Sequence, residues 1–162
     1  MKMLIPVDGS LASFNAAKKA AEIARTQDSA VMLLTVIDYD EITRHRRNEK
    51  LWRRVDGSLI TSKIMLEDEE EFASELRRNG EKLLDSLVED LDFGNAKVQK
   101  VVMTGEPYQL ILETAKGINA DMIVMGNRGF SKIKRFFVGS VTQRVISEAP
   151  CPVLVIHTDA ED

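Results

Sequence analysis

The sequence predicts an α/β protein, an open doubly wound parallel sheet with helices on both faces, Rossmann-like, and three observations carry that prediction. Short apolar runs alternate along the chain with amphipathic segments of helical period. The run Ala30-Val31-Met32-Leu33-Leu34-Thr35-Val36-Ile37 lacks the polar alternation of a half-exposed strand, so it is covered on both faces, as strands of parallel sheets are. Parallel strands separated by helices require right-handed crossovers, which place helices on both sides of the sheet.

Taken in order, Met3 to Val7 is a first strand, and Asp8-Gly9-Ser10 turns the chain into a helix whose Phe14, Ala17, Ala20, Ala21 and Ala24 form a narrow apolar stripe. The apolar run at 30–37 is the second strand. A long helix is predicted from about Asp68 to Leu91, with Phe72, Leu76, Leu83, Leu84, Leu87 and Leu91 on one face. The acids Glu67 to Glu71 stand where the positive end of the helix dipole favours them. Lys97 to Met103 is a third strand, and Pro107 suits the first position of a helix that ends near Gly117. Asp121 to Met125, Ser140 to Glu148 and Pro152 to His157 complete the series as strand, helix and strand. Residues 38–66 fit no regular element, and a stretch that long is expected to be a lid or insert within a single domain spanning 1–162.

Composition narrows the function classes. The 162 residues, 44% hydrophobic and 30% charged, suffice for one core without staples, and the lone Cys151 excludes a disulfide framework. With 22 basic and 26 acidic residues the net charge is −4, which argues against nucleic acid as a general partner. No apolar run is long enough for a membrane span and no signal-peptide pattern is evident, so a cytoplasmic location is expected.

The most informative stretch is Gly126-Asn127-Arg128-Gly129, followed after nine residues by Gly139-Ser140, between a strand end and a helix start. Glycines let a ligand approach the backbone, and a helix N-terminus offers unpaired N–H groups with positive partial charge. Arg128, Lys132, Lys134 and Arg135 add four cations with no acid between Gly126 and Ser140. Two readings stand side by side. The segment is a phosphate cradle, or it is a set of tight turns with a solvated cationic loop. Ser140-Val141-Thr142-Gln143 also matches a capping box. No P-loop and no G-x-G-x-x-G fingerprint is present.

These glycines resemble a known pattern when read with Ile5-Pro6-Val7-Asp8-Gly9-Ser10, Val36-Ile37-Asp38, Gly105-Glu106-Pro107 and Cys151-Pro152-Val153-Leu154-Val155. Together they resemble the universal stress protein family in its ATP-binding branch. The resemblance implies a strand order of 3-2-1-4-5, a homodimer, and ATP (or ADP or AMP) at the carboxyl edge of the sheet. It places adenine against Pro6, Val7, Asp8 and Val36, with backbone groups of Val36 giving base selectivity, ribose at Gly126, and phosphates at Gly129, Gly139, Ser140, Val141 and Thr142. Arg128 and Lys132 are then candidate phosphate or lid cations. Asp8 either touches the nucleotide, holds a phosphate-bound Mg2+ through water, or caps the first helix. The dimer is expected through the edge strand Pro152 to His157, with a further protein partner unknown.

Other residues carry less. His45 and His157 lack the spaced companions of a metal site, and Cys151 between two prolines is expected to pack rather than react. Arg44, Arg46, Arg47, Lys50, Arg53 and Arg54 around Trp52 form either a solvated segment, a nucleic-acid or phosphate contact, or a lid. The functional expectation is a nucleotide-binding stress or signalling protein whose occupancy alters its conformation and its partner surface. A slow Mg-dependent ATPase or phosphotransferase and a nucleotide-independent, chaperone-like module are the alternatives.

Overall fold

The computed structural model describes residues 1–38, 63–127 and 138–158. Strand β1 (Lys2–Pro6) leads to helix α1 (Leu11–Arg25), β2 (Ala30–Asp38), α2 (Lys63–Asp90), β3 (Lys97–Gly105), α3 (Pro107–Gly117), β4 (Met122–Gly126), α4 (Ser140–Glu148) and β5 (Val153–Ile156). The five strands form one sheet in the order β3-β2-β1-β4-β5. Every neighbouring pair is parallel, with Ile5 beside Leu33, Leu34 beside Val101, Leu4 beside Ile123 and Val124 beside Leu154.

Alternation along buried strands sorts the core into two layers. Met3, Ile5, Val31 and Leu33 pack on one face against the alanines of α1 and against Leu84 and Leu87 of α2. Leu4, Leu34, Ile123 and Met125 pack on the other face against Ile111 and Ala115 of α3 and Val145 of α4. The six alanines buried on α1 leave no bulk between helix and sheet, so the helix lies close to β1 and β4.

Helix starts are where sequence and structure part. The cap of α1 is Ser10, not Asp8: its Oγ accepts from the Ser13 N–H at 3.2 Å. Asp8 instead accepts from both the N–H and the hydroxyl of Ser10, at 2.9 and 2.6 Å, and holds the cap in place. In α4 the capping box does not form, because Gly139 takes the cap position and Ser140 is already helical, with no side-chain cap bond. The long helix begins at Lys63, about a turn before the predicted Asp68, so the acids lie inside it and its first turn holds none. Lys63-Ile64-Met65-Leu66 include good helix formers that extend it backwards. The irregular stretch expected at 38–66 therefore loses Asp38 to β2 and 63–66 to α2, and the remainder of that lid or insert, with His45 and the cations around Trp52, lies outside the described residues.

Candidate functional site

Strands β1, β2 and β3 succeed one another in one direction across the sheet, whereas β4 lies on the other side of β1. Between β1 and β4 the winding reverses, the helices leave in opposite directions, and a crevice opens beyond the carboxyl ends. A cleft of about 520 Å³ occupies this place. That volume suits a small organic ligand.

Pro6, Val7 and Asp8 line the cleft from the end of β1, Val36 from β2 and Gly126 from β4. Gly139, Ser140, Val141 and Thr142 line it from the start of α4. Nine residues singled out in the sequence thus share one cavity. Gly129, Arg128 and Lys132 lie outside the described residues.

The framework beneath the cleft is hydrogen-bonded throughout. The Val7 N–H donates to the Leu34 carbonyl at 2.8 Å, and the Thr35 hydroxyl donates to the Val7 carbonyl at 3.0 Å, tying β1 to β2. On the other side the buried Thr142 hydroxyl donates to the Gly126 carbonyl at 3.0 Å, tying α4 to β4. The Gly139 N–H donates to the Asn127 carbonyl at 2.7 Å, and the Asn127 N–H to Ile156 at 3.0 Å. These bonds fix the start of α4 at the cleft. Its first helical N–H groups, those of Ser140, Val141 and Thr142, have no partner within the helix, so they present donors and positive partial charge to a guest.

Gly126 has a packing reason for lacking a side chain. A Cβ there would lie 2.7 Å from the carbonyl carbon and the Cβ of Ala12, so only glycine lets α1 reach β4 at this point. The same bare backbone borders the cleft.

Several lining residues were not expected at the site from the sequence. Ser13 of α1, Thr35 of β2, and Asn79 and Gly80 of α2 belong to this group, and Leu76 and Leu83, read only as the apolar face of the long helix, join them. Two of them were detectable in principle, since Thr35 is the one polar residue of an apolar run and Gly80 interrupts a helix.

The remaining candidates lie elsewhere. His157 follows β5 rather than forming its end, with Nδ1 3.4 Å from Asn127 Nδ2. Cys151 is half-buried beside β5, and burial, with the Asp121 carboxylate secondary, pushes its thiol up from the usual range, as suits a packed residue. No group of three metal-ligating side chains occurs among the described residues. No helix among them is long and apolar enough to cross a membrane.

Comparison with known proteins places this architecture. The model of the universal stress protein family matches residues 1–48 and 53–157. Universal stress protein MJ0531 of Methanocaldococcus jannaschii is 32% identical over 155 residues, which cover 96% of this chain and 81% of that protein. The structure of protein MJ0577 from the same organism superposes with a TM-score of 0.78 at 26% identity, covering 99% of this chain and 97% of its own. An Arabidopsis thaliana family protein solved with AMP bound superposes with a TM-score of 0.61 at 19% identity, covering 99% and 93%.

Proposed function

The chain belongs to the universal stress protein family, and from that membership and its own cleft we propose that it binds an adenine nucleotide, ATP or its ADP and AMP relatives, and signals stress through that occupancy. The observation that carries the proposal is the coincidence of the switch-point cleft with the start of α4. Unpaired N–H groups at Ser140, Val141 and Thr142 stabilise the polyanionic tail, and Gly126 and Gly139 let it approach the backbone. The base lies across the ends of β1 and β2, against Pro6, Val7, Asp8 and Val36. AMP in the Arabidopsis protein of the same fold is consistent with this ligand class.

Magnesium fits as a companion of the phosphates rather than as a resident of a protein cage. Mg2+ commonly uses one or two carboxylates, waters and phosphate oxygens, and Asp8 lines the cleft with Oδ1 already engaged by Ser10. Asp8 would hold the ion through water, and the ion would neutralise phosphate charge. Nucleotide occupancy would then alter the conformation around the cleft and, with it, the surface offered to a partner.

The test is direct. Denatured protein purified from cells should release adenine nucleotide detectable by mass spectrometry, and calorimetry should show Mg-ATP binding that Gly139→Val weakens at least tenfold, about 1.4 kcal/mol. Equal affinity in the variant overturns the assigned cradle.

The edge strand suggests an assembly as well. Strand β5 lies at the sheet edge beyond β4, and an apolar edge is normally covered. A second copy would pair with it antiparallel about a twofold axis, in a cytoplasmic homodimer. Sedimentation at micromolar concentration should give the dimer mass; a stable monomer ends this part of the proposal.

A further inference from the structure

We infer that side chains of α2 close the β3 edge of the sheet to strand addition, so that a second copy of this chain can pair only at β5. The inference deepens the assembly reading above by naming what stops growth at the other edge.

The sheet ends in β3 on one side and β5 on the other. An edge strand carries a row of backbone donors and acceptors open to any extended chain, and proteins blunt such rows with lysines or cover them. Strand β5 is short, Val153–Ile156, and has no charged residue. Strand β3 spans nine residues, and its Lys97 and Lys100 are both exposed.

The parity of the ladder shows which groups of β3 face outwards. The Lys97 N–H donates to the Ser29 carbonyl at 3.1 Å, so Lys97, Gln99, Val101, Met103 and Gly105 address β2. The backbone groups of Val98, Lys100, Val102 and Thr104 therefore point away from the sheet. One stripe of α2 lies beside that row, with Arg77, Glu81 and Asp85 at four-residue spacing. Arg77 Nη1 donates to the outward Val102 carbonyl at 3.4 Å. Asp85 Oδ1 accepts from Lys100 Nζ and holds that side chain along the edge. Between helix and edge these residues line a groove of about 310 Å³.

An incoming strand would have to take the Val102 carbonyl from Arg77 and cover the Lys100 and Asp85 charges with its own backbone. Burying a charge pair costs more than its exposed form returns, so the strap disfavours the addition. Strand β5 has no counterpart to it. The Pro152 carbonyl accepts from the Ile123 N–H at 3.0 Å, which turns the backbone of Val153 and Val155 outwards. No side chain among the described residues bonds to either.

Two paired substitutions test the strap. Arg77→Ala with Lys100→Thr removes both obstacles and places a helix former and a strand former at exposed positions. Its melting midpoint should stay within about 3 °C of the wild type, because exposed contacts contribute little. Arg77→Ala with Lys100→Pro removes the same side chains and also the outward N–H of residue 100, without breaking a bond to β2. Should Lys100→Pro lower the midpoint, Thr104→Pro added to the threonine pair makes the same block at another outward N–H. In sedimentation at about 100 μM the wild type and the proline variant should each keep one mass, while the threonine variant forms species about twice as heavy or more, in a fraction that grows with concentration. A threonine variant of wild-type mass overturns the inference. Equal growth in the proline variant also overturns it, because association would then not run through this edge. A monomeric wild type ends the β5 pairing, and the comparison of the two variants still decides the strap.

Discussion

The two ends of the cleft are built by different means. At the β4 and α4 end the lining brings two bare positions, Gly126 and the Gly139 cap, together with the first amides of the helix. At the β2 and α2 end the walls are side chains: Val36, Thr35, Leu76, Asn79 and Leu83, drawn from segments some forty residues apart in sequence. A backbone-built end tolerates little change because there is no side chain to trim or rotate. A side-chain-built end can alter its chemistry while the fold stands. Two of the glycines that border the cleft, Gly126 and Gly80, make the contrast measurable.

The largest effect is expected at Gly126. Its φ is not positive, so left-handed backbone does not require glycine there. What requires it is the 2.7 Å approach of Ala12, whose carbonyl carbon and oxygen are backbone atoms and cannot rotate away. Gly126→Ala should force α1 off β4 and cost about 3 kcal/mol or more, read as a large fall in the denaturation midpoint with an unchanged m-value. Nucleotide affinity should fall with it, since Gly126 itself borders the cleft and α1 would be displaced beside it. A stable variant with full affinity would show that the two ends are equally plastic.

An intermediate effect separates bracing from binding. Thr142 is buried, and its hydroxyl donates to the Gly126 carbonyl, so its side chain holds the helix start while its main-chain N–H remains for the ligand. Thr142→Val keeps the shape and removes the donor, which should cost about 1–2 kcal/mol of stability. Thr142→Ser restores the hydroxyl and should recover most of that loss. Mg-ATP affinity measured well below the melting temperature should change by less than about threefold in either variant. A tenfold loss confined to Thr142→Val would move the hydroxyl from the brace to the ligand.

The difference between the ends also explains what the sequence disclosed. Backbone sites leave local traces: glycines at fixed spacing, a strand before them and a helix after them, all within residues 126–142. The runs of β1, β2 and β4 were equally legible, because a doubly covered strand is apolar nearly throughout. The α2 end left only isolated marks, Thr35 in an apolar run and Gly80 in a helix, and nothing local joins residue 35 to residue 79 before the sheet order is known. Caps were misplaced for a related reason. Ser140 and Asp8 had the side chains of caps, yet Gly139 and Ser10 hold those positions, because the helix start is set by where the chain leaves the sheet.

The smallest effect is expected at Gly80, and its sign is informative. An added Cβ would stand 3.2 Å from Val102 Cγ1 and 3.3 Å from Thr35 Cγ2, close but against side-chain atoms rather than backbone. Alanine in a helix interior gains about 1 kcal/mol over glycine, partly by restricting the unfolded chain. Shifting Val102 and Thr35 by a few tenths of an ångström costs a comparable amount, so Gly80→Ala should change stability by less than about 1 kcal/mol in either direction. The added methyl group faces the sheet rather than the cavity, so Mg-ATP affinity should hold within about twofold. A loss above about 2 kcal/mol would mean that Thr35, pinned by its bond to the Val7 carbonyl, cannot yield. The α2 end would then be as rigid as the β4 end, and the contrast between backbone and side-chain walls would fail at the place where it should be plainest.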